Sequence, residues 1–264
     1  MTAPDHNEGK REVHMADTGP SSSIGGLLAA LGGLKVHDAS PTISADMPMW
    51  FMYEAPEIAP LFGHAEAGAA ANRVALSEHT GTHVDAPFHF DADGLTADKV
   101  PVDAMLLRPF CKFDLKPDDH QPGDLIGPEH LAAAAERGGF SLEPGSVAVI
   151  EFGWDANRPG GANGRPEGWW GSNEPGLSPE ACTYLTDLGV VAVACDTPAC
   201  DVAARDGEML GAHGHVEHFL PKGILIVEGL TGLADVPATG LFLALPLKIA
   251  GGTGSPVRVV LLTD

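Results

Sequence analysis

The sequence predicts a single α/β domain built on a mixed, sheet-rich core. Segments typical of strands clearly outnumber those typical of helices along the 264 residues. Several strands are continuously apolar, as expected of strands buried on both faces. The length suits one large domain or two small ones, and neither a repeat nor a linker composition divides the chain.

The first half of the chain predicts a tail, a helix and several strands. We expect residues 1–22 to form a disordered, polar tail and residues 23–264 to form the domain. The stretch "SSSIGGLLAALGGLKV" can form a short helix, weakened by its glycines. An extended stretch, "TISADMPMWF", follows, then "NRVALSEHTGTHVDAPFHF" as one or two strands and "PFCKFDL" as another.

Helices and buried strands alternate in the second half. The stretch "GPEHLAAAAERGGF" predicts a helix that ends at glycines, and "GSVAVIEFGW" predicts a buried strand. A long loop over residues 157–176 is either functional or mobile. A second helix has Ser178 as its N-cap, Pro179 in its first turn and Gly189 at its end. Four more strands are predicted in "VVAVACD", "GILIVEGL", "GLFLALPLKI" and "VRVVLLTD".

Charge and cysteine content exclude some classes of partner. The formal net charge of −21 argues against nucleic acid and anionic membranes, which attract positive charge. No segment has the roughly twenty apolar residues of a membrane span, and the N-terminus lacks the apolar core of a secretory signal. The four cysteines show no C-x-x-C spacing. We therefore expect reduced thiols and a cytoplasmic protein.

The stretch "SEHTGTHVDAPFHF" concentrates metal-ligating residue types. Its glycine, threonines and proline disfavour a helix. In a strand His79, Gly81, His83 and Asp85 share one face, with room at the glycine for an ion. Two imidazoles and a carboxylate suit Zn²⁺ or Mn²⁺. His89 can be a further ligand or a base beside the metal. The alternative is a set of satisfied core or surface histidines.

A second cluster lies near "AHGHVEHFLPKGILIVEGL". It contains His213, His215 and His218, and Glu228 interrupts an apolar strand. Buried carboxylates need a partner, and a metal ion would be one. The alternative is that Glu228 simply ends its strand at the surface.

The motif "HTGTHVDAPFHF" resembles the H-x-G-T-H-x-D-x-P-x-H-F signature of the cyclase family, metal-dependent hydrolases that include kynurenine formamidase and isatin hydrolase. The segments "PGLSPEACTYLTDLGVVAVACDTPACD" and "GILIVEGL" are also similar to the family. The resemblance covers residues from Thr42 onwards. It implies a swivelling β/β/α fold, usually in a homodimer or homotetramer.

The resemblance also implies roles for individual residues. His79, His83 and Asp85 would bind the metal, and His89 would be the catalytic base. A later histidine and Glu228 would complete a site for one or two ions. The family spacing places that histidine at Val216, so we expect His215, one position earlier, with His213 and His218 as alternatives.

The sequence indicates a few residues that could contact the substrate. By resemblance, Trp50, Phe51 and Trp154 lie where the family places pocket residues, and aromatic side chains can form stacking walls. Family activities differ mainly in such loops, so the loop over residues 157–176 is expected to influence specificity.

The function that we expect is hydrolysis of a small amide, lactam or lactone. Water activated by a divalent metal would attack the carbonyl, with neutral His89 as base. From the ordinary histidine pKa, activity should rise with pH through roughly 6–7. One alternative is a cyclase or dehydratase acting on a biosynthetic intermediate with the same site. Another is a metal-containing binding protein without catalysis.

Overall fold

A computed structural model describes residues 22–118 and 120–264. The helices are α1 (Ser22–Gly32), α2 (His64–Ala67), α3 (Pro128–Gly138), α4 (Glu167–Trp170) and α5 (Pro179–Asp187). The strands are β1 (Lys35–Asp38), β2 (Glu57–Phe62), β3 (Ala71–Ala75), β4 (His83–Asp85), β5 (Arg108–Asp114), β6 (Leu125–Ile126), β7 (Val147–Glu151), β8 (Gly176–Leu177), β9 (Ala192–Cys195), β10 (Ala204–Arg205), β11 (Glu208–Met209), β12 (Leu225–Glu228), β13 (Thr239–Leu243), β14 (Gly254–Pro256) and β15 (Val260–Thr263).

Helix α1 belongs to an N-terminal unit that ends at Leu34. Its apolar side chains Ile24, Leu27 and Leu28 are exposed. The predicted tail, residues 1–22, lies outside the described residues except for Ser22, which begins α1.

The second unit, residues 35–264, is built on a nine-stranded mixed sheet. Its strand order is β1-β15-β13-β5-β7-β9-β12-β4-β14. Strands β5, β7, β9 and β12 run parallel to one another, and the flanking strands pair antiparallel. This architecture confirms the predicted α/β class with a strand-rich sheet.

The central strands of the sheet are buried on both faces. In β7, Ala148 and Ile150 belong to one apolar cluster, while Val147 and Val149 belong to a second. Because successive side chains in a strand point to opposite faces, the two clusters lie on opposite sides of the sheet. This explains why the central strands read as continuous apolar runs rather than alternating ones.

Helices α3 and α5 cover one of these faces. Leu131 of α3 and Leu185 of α5 are fully buried in the cluster that also holds Ile150. The predicted signals at the C-terminal end of α3 and at the start of α5 are both present. Gly139 adopts a left-handed conformation after α3, and the Ser178 hydroxyl accepts a hydrogen bond from the Ala181 N–H at the start of α5.

The segment "NRVALSEHTGTHVDAPFHF" forms two strands, one of the two predicted alternatives, but the motif itself is not continuously extended. Strand β3 ends at Ala75 and β4 begins only at His83. Between them Gly81 has a φ of +64°, a left-handed conformation that breaks extended pairing. The expectation that one strand face carries His79, Gly81, His83 and Asp85 is therefore wrong, because a turn delivers His79.

Strand β4 lies between two other strands of the sheet. His83 pairs with Glu228 of β12 on one side and with Pro256 of β14 on the other. This register brings the motif next to the glutamate at the end of β12, although they are far apart in sequence. Among the described residues, no helix is both long and apolar enough to cross a membrane.

Candidate active site

Five predicted side chains converge where β4 meets β12. His79 Nδ1 lies 2.7 Å from Asp85 Oδ1, and His83 Nε2 lies 3.4 Å from that oxygen. His83 Nε2 is also 3.5 Å from Glu228 Oε2. His215 Nε2 lies 3.1 Å from Glu228 Oε1 and 3.4 Å from Asp85 Oδ2. We call these five residues the ligand cluster.

The donor set of the ligand cluster fits a divalent metal. His79, His83 and Asp85 form one group whose potential ligand atoms all lie within 4.8 Å of one another. Asp85, His215 and Glu228 form a second such group. All five side chains are buried, and imidazole with carboxylate is a ligand set typical of Zn²⁺ and other transition ions. Asp85 belongs to both groups, so the cluster has donors for one ion or for two that share Asp85.

The pKa shifts within the ligand cluster also indicate that the buried carboxylates favour a cation beside them. Burial opposes a charge on Asp85, but His79 and His215 outweigh it and hold the Asp85 pKa well below its usual value. Burial likewise opposes a charge on His215, yet Asp201 and Glu228 raise its pKa well above the usual value. A bound metal ion would replace these protons as the positive partner of the carboxylates.

Outer contacts orient the histidines. The Gly81 carbonyl lies 2.9 Å from His83 Nδ1 and can only accept a hydrogen bond, so Nδ1 carries a proton. The lone pair of neutral His83 is therefore on Nε2, which faces the carboxylates. The Thr253 hydroxyl lies 2.9 Å from His79 Nε2 and also donates to Glu78. Such contacts set which ring nitrogen can bind a metal.

Asp201 orients the ring of His215. The sequence analysis did not identify Asp201 as a site residue. Its side chain is fully buried, with Oδ1 3.2 Å from His215 Nδ1. Its other oxygen accepts hydrogen bonds from the main-chain N–H groups of Gly214 and His215. Asp201 therefore directs His215 Nε2 at Glu228 and Asp85. An additional donor group of Cys200, Asp201 and His215 also exists, but burial raises the Cys200 pKa and keeps its thiol protonated.

A π-helical turn presents His215. Residues Gly214–Phe219 form this turn, which is wider than an α-helical one. His213 and His218 lie outside the ligand cluster: His213 contacts the Leu177 carbonyl, and His218 lies beside Thr183. Val216, which the family spacing would place at the site, is 42% exposed. Of the three candidate histidines, the structure brings only His215 to Glu228.

His89 stands beside the ligand cluster. It lies in a short 3-10 turn, Pro87–His89, and its ring stacks on His79 with centroids 4.0 Å apart. Burial is the main cause that lowers its pKa to about 4, with His79 adding and Asp85 opposing. His89 is therefore neutral at physiological pH and free to accept a proton.

A cavity of about 280 Å³ opens onto the ligand cluster and His89. Its remaining walls are largely apolar, formed by Trp50, Met52, Tyr53, Phe90, Pro198, Ala199, Ala203, Met209 and Ala212. Such a space suits a small, mostly apolar molecule with a few polar groups.

Two of the three expected pocket residues are placed elsewhere. Trp50 lines the cavity, but Trp154 is buried in the core, where its Nε1 donates to the Trp170 carbonyl. Trp154 needs this partner for its buried N–H, which explains its inward orientation. Phe51 lies at the surface against Trp50, with ring centroids 4.6 Å apart, and does not line the cavity.

Tyr53 is a cavity residue that the sequence analysis missed. Its ring stacks on His79 with centroids 5.5 Å apart. Burial, with Asp85 and Glu228 adding, raises its pKa to about 12, so the phenol stays protonated. The only signal in the sequence is its place three residues after Trp50.

Comparisons with known proteins identify the family of this chain. Residues 37–202 match the cyclase family model, described as "Putative cyclase". A kynurenine formamidase of Paracidovorax citrulli (strain AAC00-1) is 32% identical over 231 residues, which cover 86% of this chain and 93% of that protein.

Two isatin hydrolase structures share the fold. One, bound to the product analogue thioisatinate, has a TM-score of 0.76 at 24% identity, covering 92% of this chain and 97% of its own. The other, isatin hydrolase A from Labrenzia aggregata bound to benzyl benzoate, has a TM-score of 0.76 at 25% identity, covering 91% and 99%. The chain therefore belongs to the cyclase family of metal-dependent hydrolases, and it is an enzyme.

Proposed function

We propose that this enzyme hydrolyses the acyl C–N bond of a small amide or lactam, or the C–O bond of a lactone. Its similarity to a kynurenine formamidase and to isatin hydrolases supports a formamide or an isatin-like lactam as the substrate class. The cavity above the ligand cluster has the size and apolar walls for such a molecule.

The observation that carries the proposal is the place of His89. It is a neutral imidazole, stacked on His79 and lining the cavity that opens onto buried carboxylates and histidines. A protein that only binds a metal has no need of an unligated base at this position. In the proposed reaction His89 accepts a proton from the attacking water and returns it to the leaving nitrogen or oxygen.

The proposed metal ligands are His79, His83, Asp85, His215 and Glu228, holding one or two ions of Zn²⁺ or Mn²⁺. The metal, when bound, lowers the pKa of water and polarises the carbonyl. Asp201, Thr253 and the Gly81 carbonyl hold the imidazoles in the required orientation. Trp50 and the other apolar walls exclude water and position the substrate.

We further propose a cytoplasmic enzyme with residues 23–264 as its domain, acting as a homodimer or homotetramer. The four buried, unpaired cysteines support a reducing compartment. The family resemblance supports the oligomer.

The test combines a substrate panel with two variants. Metal-loaded wild type is assayed with aryl formamides, isatin and aryl lactones, and the acid product is quantified. We expect His89→Ala to keep its metal and lose about 10²–10⁴-fold in kcat, the usual contribution of a general base. The control, His64→Ala, removes an exposed histidine in α2 and should leave kcat unchanged.

Three results would contradict parts of the proposal. Metal loss in His89→Ala would make His89 a ligand. Turnover of an open-chain acid with loss of water would favour a cyclase or dehydratase. Tight binding of every compound without turnover would favour a binding protein.

A further inference from the structure

Tyr53 lines the catalytic cavity and has a hydroxyl without a hydrogen-bond partner among the described residues. It lines the same cavity as His83, His89 and Glu228, and its ring stacks on His79 at an interplanar angle of 14°. Its main-chain N–H donates to the Trp50 carbonyl at 2.9 Å, which anchors the residue in its turn. Among the described residues, no group pairs with the hydroxyl, and the hydroxyl is not enclosed by protein atoms.

The other polar side chains of the cavity are unsuited to contact a carbonyl oxygen. Asp85 and Glu228 only accept hydrogen bonds when ionised, and the imidazoles serve as proposed ligands or base. Trp50 has an indole N–H, but that nitrogen is buried without a partner and does not reach the cavity surface. Among the described lining residues, Tyr53 therefore supplies the one available neutral side-chain donor.

Hydrolysis creates a need for such a donor. As the water oxygen bonds to the carbonyl carbon, the C=O π pair moves onto the carbonyl oxygen, and His89 takes the water proton. The pair then returns, the C–N bond breaks, and the nitrogen leaves with the proton from His89. Negative charge is greatest on the carbonyl oxygen midway, so a donor placed there stabilises the transition state more than the bound substrate.

We propose that Tyr53 is a catalytic residue whose hydroxyl donates a hydrogen bond to the carbonyl oxygen of the substrate, a bond that strengthens as charge develops. A tyrosine hydroxyl is protonated at neutral pH, so the donor needs no activation. This role rests on the proposed hydrolytic function.

The direct test is Tyr53→Phe, which removes the hydroxyl and keeps the ring stacked on His79. We expect kcat to fall about 10²–10³-fold, the usual effect of removing one such donor. KM, metal content and Tm should stay near the wild-type values. Tyr184→Phe is a matched control, because Tyr184 is the other tyrosine of the chain and packs against the core at α5. It should leave kcat unchanged.

A binding measurement tests the contact without turnover. Calorimetric titration of metal-loaded protein with benzohydroxamate should give a Kd about ten- to a hundred-fold weaker for Tyr53→Phe than for wild type. If wild type turns over no amide, lactam or lactone, the proposed function is wrong. The titration does not depend on turnover, so it still tests whether the Tyr53 hydroxyl contacts the bound carbonyl compound. An unchanged kcat, a higher KM at unchanged kcat, loss of metal, or an equal Kd would each overturn the role.

Discussion

Burial keeps the His89 imidazole neutral at a pH where an unperturbed histidine is largely charged. An unperturbed histidine is half protonated near pH 6.5 and so is only partly available as a base in mild acid. Burial in the cavity wall lowers the His89 pKa to about 4. A metal ion in the ligand cluster would favour the neutral form still more, because like charges repel. With this pKa His89 is already neutral at pH 6–7, so we expect the rise in activity over that range to report the metal-activated water instead.

We expect the His89 ring to stay neutral from pH 8 down to about pH 5. Because its folded pKa is lowered, protonation begins only as the pH approaches 4. NMR of metal-loaded protein with labelled histidine checks this, with His89→Ala identifying the signal. A His89 midpoint between pH 6 and 7 would show that the cavity does not desolvate the ring.

At the scale of elements, the turn before β4 places the two motif histidines. Gly81 has a φ of +64°, and an added Cβ would lie 3.0 Å from the Met47 methyl. The turn also points the Gly81 carbonyl at His83 Nδ1. A change at this one residue therefore acts on the backbone and on a ligand together.

Gly81→Ala is expected to lower both stability and metal affinity. The left-handed conformation costs a non-glycine residue about 1–2 kcal/mol, which should appear in the free energy of unfolding. Gly68→Ala is a matched control, because Gly68 has a φ of +70° with no neighbour within 4 Å of the added Cβ. It should lose similar stability at unchanged metal affinity, both measured on purified protein. Equal metal affinities for Gly81→Ala and wild type would mean that the turn does not position the ligands.

The sequence predicted regular elements better than their arrangement. Helices α3 and α5 carry local end signals, Gly139 and Ser178, and both formed where expected. The strand predicted from His79 to Asp85 failed because alternation alone cannot reveal that Gly81 turns the chain.

Asp201 and Tyr53 were missed because their importance arises from contacts with His215 and His79, which only the fold creates. Trp154 lies in the core rather than at the cavity, and its partner there, the Trp170 carbonyl, is invisible in sequence.

At the scale of the whole molecule, the ligand cluster joins distant parts of the chain. His79, His83 and Asp85 come from the first third, whereas His215 and Glu228 come from the last quarter. The antiparallel pairing of β4 with β12 brings them together. An unfolded chain cannot hold these groups around one ion, so metal binding favours the folded state.

Removal of the metal should therefore lower the thermal stability of the enzyme. At a free metal concentration about 100 times Kd, binding adds about 2.7 kcal/mol, which corresponds to roughly 5–10 °C in Tm for a domain of this size. Calorimetry of chelated and Zn²⁺-loaded protein measures the difference. His83→Ala should bind less metal and show a smaller shift, whereas His213→Ala should behave as wild type. Identical melting of chelated and loaded wild type would argue against a structural contribution of the ion.

The π-helical turn at Gly214–Phe219 has a consequence for recognising related sequences. A search pattern with a fixed number of residues between the histidine and the glutamate requires a histidine at position 216. This chain has Val216 there, so such a pattern would reject the chain. His215, one position earlier, lies in this turn and reaches Glu228. Patterns that allow a variable gap here would retrieve enzymes that rigid ones discard. A histidine one position out of register in another family member is thus grounds for examining the helix, not for declaring the site lost.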